Sequence, residues 1–282
     1  MPPLHFDLAV WLAIAAAFFT SMPWLVNLWF RRGYARHLLQ PLARAHSVFG
    51  SRQGRLVGFV SLHAVNIAIL ATCIWVGCQL QLAGIGNLRT GAFGPWEALL
   101  LVPQVLLVLL VFDAQFYWVH RTAHRHPVLF RLLHREHHAD RYPDAWSSMY
   151  QHPLDFFLAT AMPMAWGVLL PVHEAAWWVA LISANYINLA GHAGVEVTRR
   201  TPGLLVPNGI AAMLDPQRAG VSRWFNAVTH HDLHHQRYTV NYGLYFTIWD
   251  RIMGTLAPDS DAVYREAAGR TATPVTPGTT SG

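Results

Sequence analysis

Apolar residues in this chain run in long unbroken stretches, with neither the alternation of a strand nor the one-sided stripe of a soluble helix. Residues 8–30 carry no charge, enough for a helix to cross the roughly 30 Å hydrocarbon layer of a bilayer. No basic segment precedes the stretch and no small-residue cleavage site follows it, so a retained span is expected rather than a secretory signal. A second uncharged stretch covers 56–88, with the span ending before Gly84, and a third covers 98–119, interrupted only by Asp113. Two shorter stretches, 156–170 and 175–189, flank Pro171-Val172-His173-Glu174. Each is short for a full crossing, so they predict a helical hairpin that enters and leaves on one side. The expected fold is therefore all-α, an integral membrane helical bundle of three spans plus a helical hairpin, with a histidine-rich helical cap. Residues 1–97 hold the first two spans and the loop between them, and 98–256 hold the histidine-bearing unit. From residue 257 the chain turns to Thr, Pro, Gly and Ser, which predicts a disordered tail over 257–282.

Composition agrees with a bilayer. Apolar residues make up 53% of the 282 and charged residues only 12%, against about 25% charged in a soluble domain. All 20 basic residues are arginine, which fits a GC-rich genome. They form no stripe interleaved with aromatics, and nucleic-acid binding is excluded on that ground. Arg31, Arg32, Arg36, Arg44, Arg52 and Arg55 crowd the first loop, while Arg89 stands alone in the second. The positive-inside rule then puts the N-terminus outside and everything from His120 onward on the cytoplasmic side, the hairpin excepted; a bacterial inner membrane is the expected location. The two cysteines, Cys73 and Cys78, are five apart on one span and read as core- or lipid-facing side chains. Trp24, Trp118 and Tyr186 read as anchors at the bilayer interface.

The 17 histidines carry the chemistry. His120 and His124 lie four apart, so on a helix their Cβ atoms stack about 6 Å from one another. In His134-Arg-Glu-His137-His138 the first histidine meets the other two at i+3 and i+4. Pro127 suits the first turn of the helix leading there, where a missing N–H costs nothing. His231-Asp-Leu-His234-His235 repeats that spacing. A single HxxxH is weak evidence for metal, and one HxxHH only moderate. Eight histidines buried together without ions would need eight separate sets of hydrogen-bond partners. Eight imidazoles are too many for one zinc, which about four ligands satisfy, and suit two ions. Imidazole alone does not choose the metal. Iron is favoured because unactivated lipid C–H bonds are the expected target at a membrane surface, and zinc cannot activate O₂.

The motifs resemble the fatty acid hydroxylase and sterol desaturase superfamily. The likeness runs from Asp113 through Tyr117-Trp118-Val119-His120-Arg121 and His124 to His134, His137 and His138. It continues with Asn188-Leu-Ala-Gly-His192, then His231, His234 and His235, and ends in Asn241-Tyr242-Gly243 and Trp249-Asp250-Arg251. The resemblance implies a non-haem di-iron enzyme with O₂ as co-substrate that hydroxylates or desaturates a membrane lipid: sterol, fatty acyl chain, ether lipid or carotenoid. It makes His192 a ninth metal ligand. Some members carry a further histidine where Asn188 stands here, so Asn188 is expected beside the metal. Asp113, Glu136, Asp232 and Asp250 are expected to accept from imidazole N–H groups, or to pair with arginines. His152 and His230 are weaker candidates for contact with the ligands, and His126 precedes a helix. His5, His37, His46, His63 and His173 read as interfacial or packing residues. No iron–sulfur cysteine set, nucleotide loop or haem domain is visible, so electrons come from a separate ferredoxin- or cytochrome-type donor. Arg121, Arg125, Arg131, Arg135 and Arg141 are its expected dock, unless they simply meet lipid headgroups. The alternatives are a zinc-dependent membrane hydrolase and a haem- or metal-carrying membrane protein without chemistry of its own.

Overall fold

The structure, a computed structural model, describes residues 5–32, 53–139, 143–196 and 207–269. Helices α1 (Leu8–Val26), α2 (Gln53–Leu82) and α3 (Pro95–Arg125) form the outer bundle. Each supplies most or all of a helical segment long and apolar enough to cross a bilayer: Leu8–Trp29, which runs on past α1, Val60–Leu82 and Pro95–Arg125. Only 28% to 39% of each segment's most apolar window is buried in the protein, so most of its surface is left to lipid. Val10, Ile14, Val60, Val65, Leu99 and Val102 are exposed on these spans, as a lipid-facing surface requires.

Against these spans pack α5 (Pro153–Leu169) and α6 (Glu174–Gly191), the predicted hairpin. Its turn reaches farther than the sequence implied. Arg89, between α2 and α3, donates to the Val172 carbonyl and accepts from the Glu174 amide, at 2.9 and 3.1 Å. Asn87 donates to the Val168 carbonyl at 2.8 Å. The hairpin therefore runs from the histidine end to the opposite end and back, a length of about 25 Å at 1.5 Å per residue. It fits because spans pack closely around it: a Cβ on Gly77 of α2 would lie 2.9 Å from the carbonyl oxygens of both Met164 and Ala165. Cys73 and Cys78 are both buried and free.

The polar end of the bundle is capped by α4 (127–134), α7 (Pro207–Leu214), α8 (Val228–Arg237), α9 (Ile248–Ile252) and α10 (Ser260–Gly269). The last of these corrects the expected tail. Tyr264 and Ala267, three apart on α10, are 0% and 1% exposed, and Asp261 accepts from Arg218 Nε at 3.0 Å. Two buried side chains and the ion pairs of Asp261 with Arg218 and Arg251 dock the segment, whose composition becomes tail-like only from 270, outside the described residues. Arg36, Arg44, Arg52 and Arg141 also lie outside them.

Candidate metal centre

Each histidine reaches the centre for a local reason. α3 continues through Arg125, so His120 and His124 project from its last two turns. His126 is extended (φ −108°, ψ 108°), and the chain restarts at Pro127 to carry His134 back toward α3. A tight 3-10 turn at His137–Ala139 brings in His137 and His138. His192 caps the C-terminus of α6. α8 bears His231, His234 and His235, and Tyr238 in a left-handed conformation (φ 64°) ends it.

These nine side chains form two groups. His120, His124, His134, His138 and His234 make one; His137, His192, His231 and His235 make the other. Within each group one nitrogen per ring lies within 4.8 Å of all the others. All are buried except His124, which is half-buried. The two HxxHH motifs divide in opposite senses. The first gives its i and i+4 rings, His134 and His138, to the five-histidine group and its i+3 ring, His137, to the other. The second gives His231 and His235 to the four-histidine group and His234 to the first.

Several Nε2 atoms approach one another directly: His192 and His231 at 2.9 Å, His124 and His138 at 3.0 Å, His138 and His234 at 3.2 Å, and His231 and His235 at 3.2 Å. The other ring nitrogen is often tied down. Nδ1 of His120 lies 2.8 Å from the Tyr242 carbonyl, that of His192 2.7 Å from the Asn188 carbonyl, and that of His234 2.8 Å from the Val240 carbonyl. His134 Nδ1 meets the Asp155 carboxylate at 2.7 Å. A carbonyl only accepts, so these Nδ1 atoms carry the proton and the Nε2 lone pairs converge. Nε2 of His120 and His134 is buried with no protein partner. Converging lone pairs repel unless a cation lies between them. Nitrogens sharing an ion at about 2.1 Å sit about 3–4 Å apart, the spacing seen here. The donor set thus fits two metal ions.

Electrostatics favours the neutral, ligating form. Burial, and after it the neighbouring imidazoles, holds His137, His138 and His231 well below the ordinary histidine value. Burial lowers His192 to about 4 and His234 to about 3, against the opposing pull of their carbonyl partners.

Other expected residues lie elsewhere. Asp113 is a correction: its Oδ1 accepts from the amides of Leu244 and Tyr245 at 2.9 and 2.7 Å, not from an imidazole. Asp250 likewise accepts from the amides of Tyr242 and Gly243. A buried carboxylate takes whatever N–H groups reach it, and here they are those of the loop that offers the Tyr242 carbonyl to His120. Glu136 is a second correction, because it faces outward to Arg135 and the Tyr150 hydroxyl, at 3.9 and 3.4 Å. Asp232 accepts from Gln236, one turn along α8. His152 caps α5 by accepting from the Leu154 amide. His230 is buried on the other side of α8, its Nδ1 accepting from the Ala227 amide and its Nε2 4.0 Å from Asp261. Asn188 meets His192 through its carbonyl, while its side-chain Nδ2 is buried without a partner. Arg121 is buried and donates to Tyr117, so it is no part of an exposed dock; Arg125, Arg131 and Arg135 are exposed. Tyr186, expected at the interface, is in the core. Sequence reasoning missed Asp155; its signal was an acid in the first turn after Pro153, inside an otherwise apolar helix.

Several known proteins are similar to this chain in sequence. A lathosterol oxidase of Homo sapiens is 29% identical over 67% of this chain and 56% of its own length. A cholesterol 25-hydroxylase of Homo sapiens is 32% identical over 60% of this chain and 57% of its own. A delta(7)-sterol 5(6)-desaturase of Gibberella zeae is 25% identical over 54% and 41% respectively. The chain spans about half the length of the curated relatives it matches. No solved structure matches it. The model of the fatty acid hydroxylase family matches residues 105–255, more than half of the chain and a stretch that holds all nine clustered histidines. The chain belongs to the fatty acid hydroxylase family.

Proposed function

We propose that this protein is an O₂-dependent di-iron oxidoreductase that hydroxylates or desaturates a C–H bond of a membrane lipid. One observation carries the reading: two adjacent groups of five and four imidazoles, nearly all buried, at the end of an apolar helical bundle. Neither group includes a carboxylate or thiolate, which argues against a zinc hydrolase relying on a carboxylate ligand or base. When bound, a pair of irons supplies the O₂-dependent redox chemistry that breaking an unactivated C–H bond requires. His120, His124, His134, His138 and His234 would hold one ion, and His137, His192, His231 and His235 the other. The protein's own contribution is orientation and exclusion of water. Asp155 and the carbonyls of Tyr242, Asn188 and Val240 fix four rings in the Nδ1–H tautomer, which aims Nε2 inward.

The relatives named above are sterol enzymes, so sterols are the first substrates to test. Electrons would come from a separate ferredoxin- or cytochrome-type protein, drawn to Arg125, Arg131 and Arg135 by an acidic surface. The histidine end would face the cytoplasm, with the N-terminus outside. The test uses purified protein in nanodiscs, with metal analysis and lipid mass spectrometry with and without O₂. Iron together with an O₂-dependent product differing by one oxygen or two hydrogens supports the reading. Zinc with O₂-independent turnover, or a Soret band, sinks it.

A further inference from the structure

A cavity of about 50 Å³ lies beside His231 of the four-histidine group. One wall is α6, through Ile187 and Ala190; another is α7, through Gly209 and Ala212. α7 reads Pro-Asn-Gly-Ile-Ala-Ala-Met-Leu, without a single charge. Its inward face carries its smallest residues: Gly209, Ala211 and Ala212 are buried. Its outward face carries large apolar ones, since Ile210 and Leu214, four apart, are 38% and 71% exposed. A helix facing water has the reverse arrangement, with polar residues outward. A small-inside, large-outside helix suits a hydrocarbon environment.

The next element continues the surface. Val221 and Trp224 are 59% and 39% exposed. The guanidinium groups of Arg223 and Arg251 lie 4.9 and 5.6 Å from the centre of the Trp224 ring. An exposed tryptophan with two arginines against it, next to exposed aliphatic side chains, matches the headgroup level of a bilayer, where aromatic rings anchor and arginine meets phosphate.

We propose that α7 lies in the bilayer interface as a doorway, through which a membrane lipid passes from the bilayer between α6 and α7 to the four-histidine centre. The inference rests on the reading of that centre as one that oxidises a lipid. The cavity holds a few water-sized groups and not a lipid, so entry requires α7 to swing outward. Gly209 and Ala212 leave the inner face smooth enough for a chain to slide past.

The test is independent of the substrate's identity. Single cysteines replace Leu214 (outer face), Ala212 (inner face) and, as an aqueous control, exposed Arg265 on α10. The metal-loaded protein in phosphatidylcholine–phosphatidylglycerol nanodiscs is treated with a hexadecyl maleimide dissolved in the bilayer, or with a sulfonated water-soluble maleimide. At Leu214→Cys and Ala212→Cys the bilayer reagent should react at least about tenfold faster than the aqueous one, with the order reversed at Arg265→Cys. Adding Gly209→Leu to Ala212→Cys should slow the bilayer reagent, while metal content stays at the parent level. A Leu214→Cys that behaves like the control overturns the bilayer seat. An Ala212→Cys that the bilayer reagent does not reach overturns the doorway. Absence of iron, or indifference to O₂, would instead sink the oxidase reading and leave the labelling result standing.

Discussion

Asp155 offers the sharpest test of the metal centre, because it touches a single ring of one group. Its Oδ2 lies 2.7 Å from His134 Nδ1, and the two side chains are 3% and 4% exposed. Asp155→Ala leaves the His134 N–H buried without an acceptor, a cost of about 1–3 kcal/mol. Removing the partner that orients a ligating histidine lowers metal affinity about 10- to 100-fold, or about 1.4–2.7 kcal/mol. The first figure bears on folding stability and the second on metal affinity, so the two are read by different assays. The carboxylate also sits in the first turn of α5, where its charge favours the helix by about 0.3–1 kcal/mol. Asp155→Asn separates these effects: it loses the charge but keeps an acceptor oxygen for Nδ1–H. The expected order of affinity is wild type, then Asn a few-fold weaker, then Ala weaker by the full factor. Only the five-histidine site should respond, so chelator competition followed by metal analysis should show one of two ions released early. Asp155→Ala with two ions of wild-type affinity would refute the anchoring argument. Loss of both ions together would show that the substitution damages the fold instead.

His137→Ala and His234→Ala each remove one imidazole from a different group, and each should abolish turnover while membrane insertion, read by alkaline extraction, is unchanged. Glu196→Ala should destabilise the protein by about 1 kcal/mol, because this buried carboxylate accepts from both the amide and the hydroxyl of Thr229, at 2.8 and 2.6 Å, at the start of α8; an unchanged melting temperature would discount the cap. Metal-free protein should lose stability in acid. The unfolded chain protonates its histidines below about 6.5, whereas the folded chain resists until about 4 at His192 and about 3 at His234. The unfolded state thus binds more protons in that window, and stability falls as pH drops through it; a melting temperature flat or rising between about pH 7 and pH 5 would contradict the sign. Asn188→His should tighten metal binding at the four-histidine site and slow turnover, checked by the same chelator competition and by product formation.

The parts of this protein that were legible in its sequence are those written in residue type and spacing. Uncharged runs give α1, α2 and α3 because lipid accepts no charge on a span's outer face. Eight histidines at i, i+3 and i+4 announce their convergence because imidazoles so placed share a helix face, whereas His192, alone in its segment, was implied only by the family resemblance. The parts that were not legible depend on backbone atoms and on depth. The acceptors on His120, His192 and His234 are carbonyls of Tyr242, Asn188 and Val240, and a carbonyl belongs to every residue alike. Asp113 stood out as a charge in a span, yet whether it meets an imidazole or two loop amides is decided by the path of residues 242–245. The hairpin's apolar pattern was visible, but its reach to Arg89 is set by its close packing on α2 and by backbone hydrogen bonds to residues 87 and 89. α10 was hidden because two buried side chains, Tyr264 and Ala267, outweigh a tail-like surrounding composition.

The unequal division of the histidines has a structural origin. The two HxxHH motifs contribute equally, each giving an i, i+4 pair to one group and an i+3 ring to the other, so between them they supply three rings per group. The difference comes from what is added. α3 brings two rings one turn apart, His120 and His124, whereas α6 brings His192 with Asn188 one turn before it. Asn188 therefore occupies in α6 the position that His120 occupies in α3. Its carbonyl steadies His192 and its amide nitrogen has no partner, so this turn of helix orients one ring without contributing a second. On the proposed reading, five imidazoles would hold one ion and four the other, a difference of one donor that traces to Asn188. The four-histidine group borders the cavity walled by α6 and α7 through His231, and the five-histidine group borders a larger one through His124 and His138. A single substitution in an otherwise repeated pattern would thus account for the difference of one imidazole between the two groups.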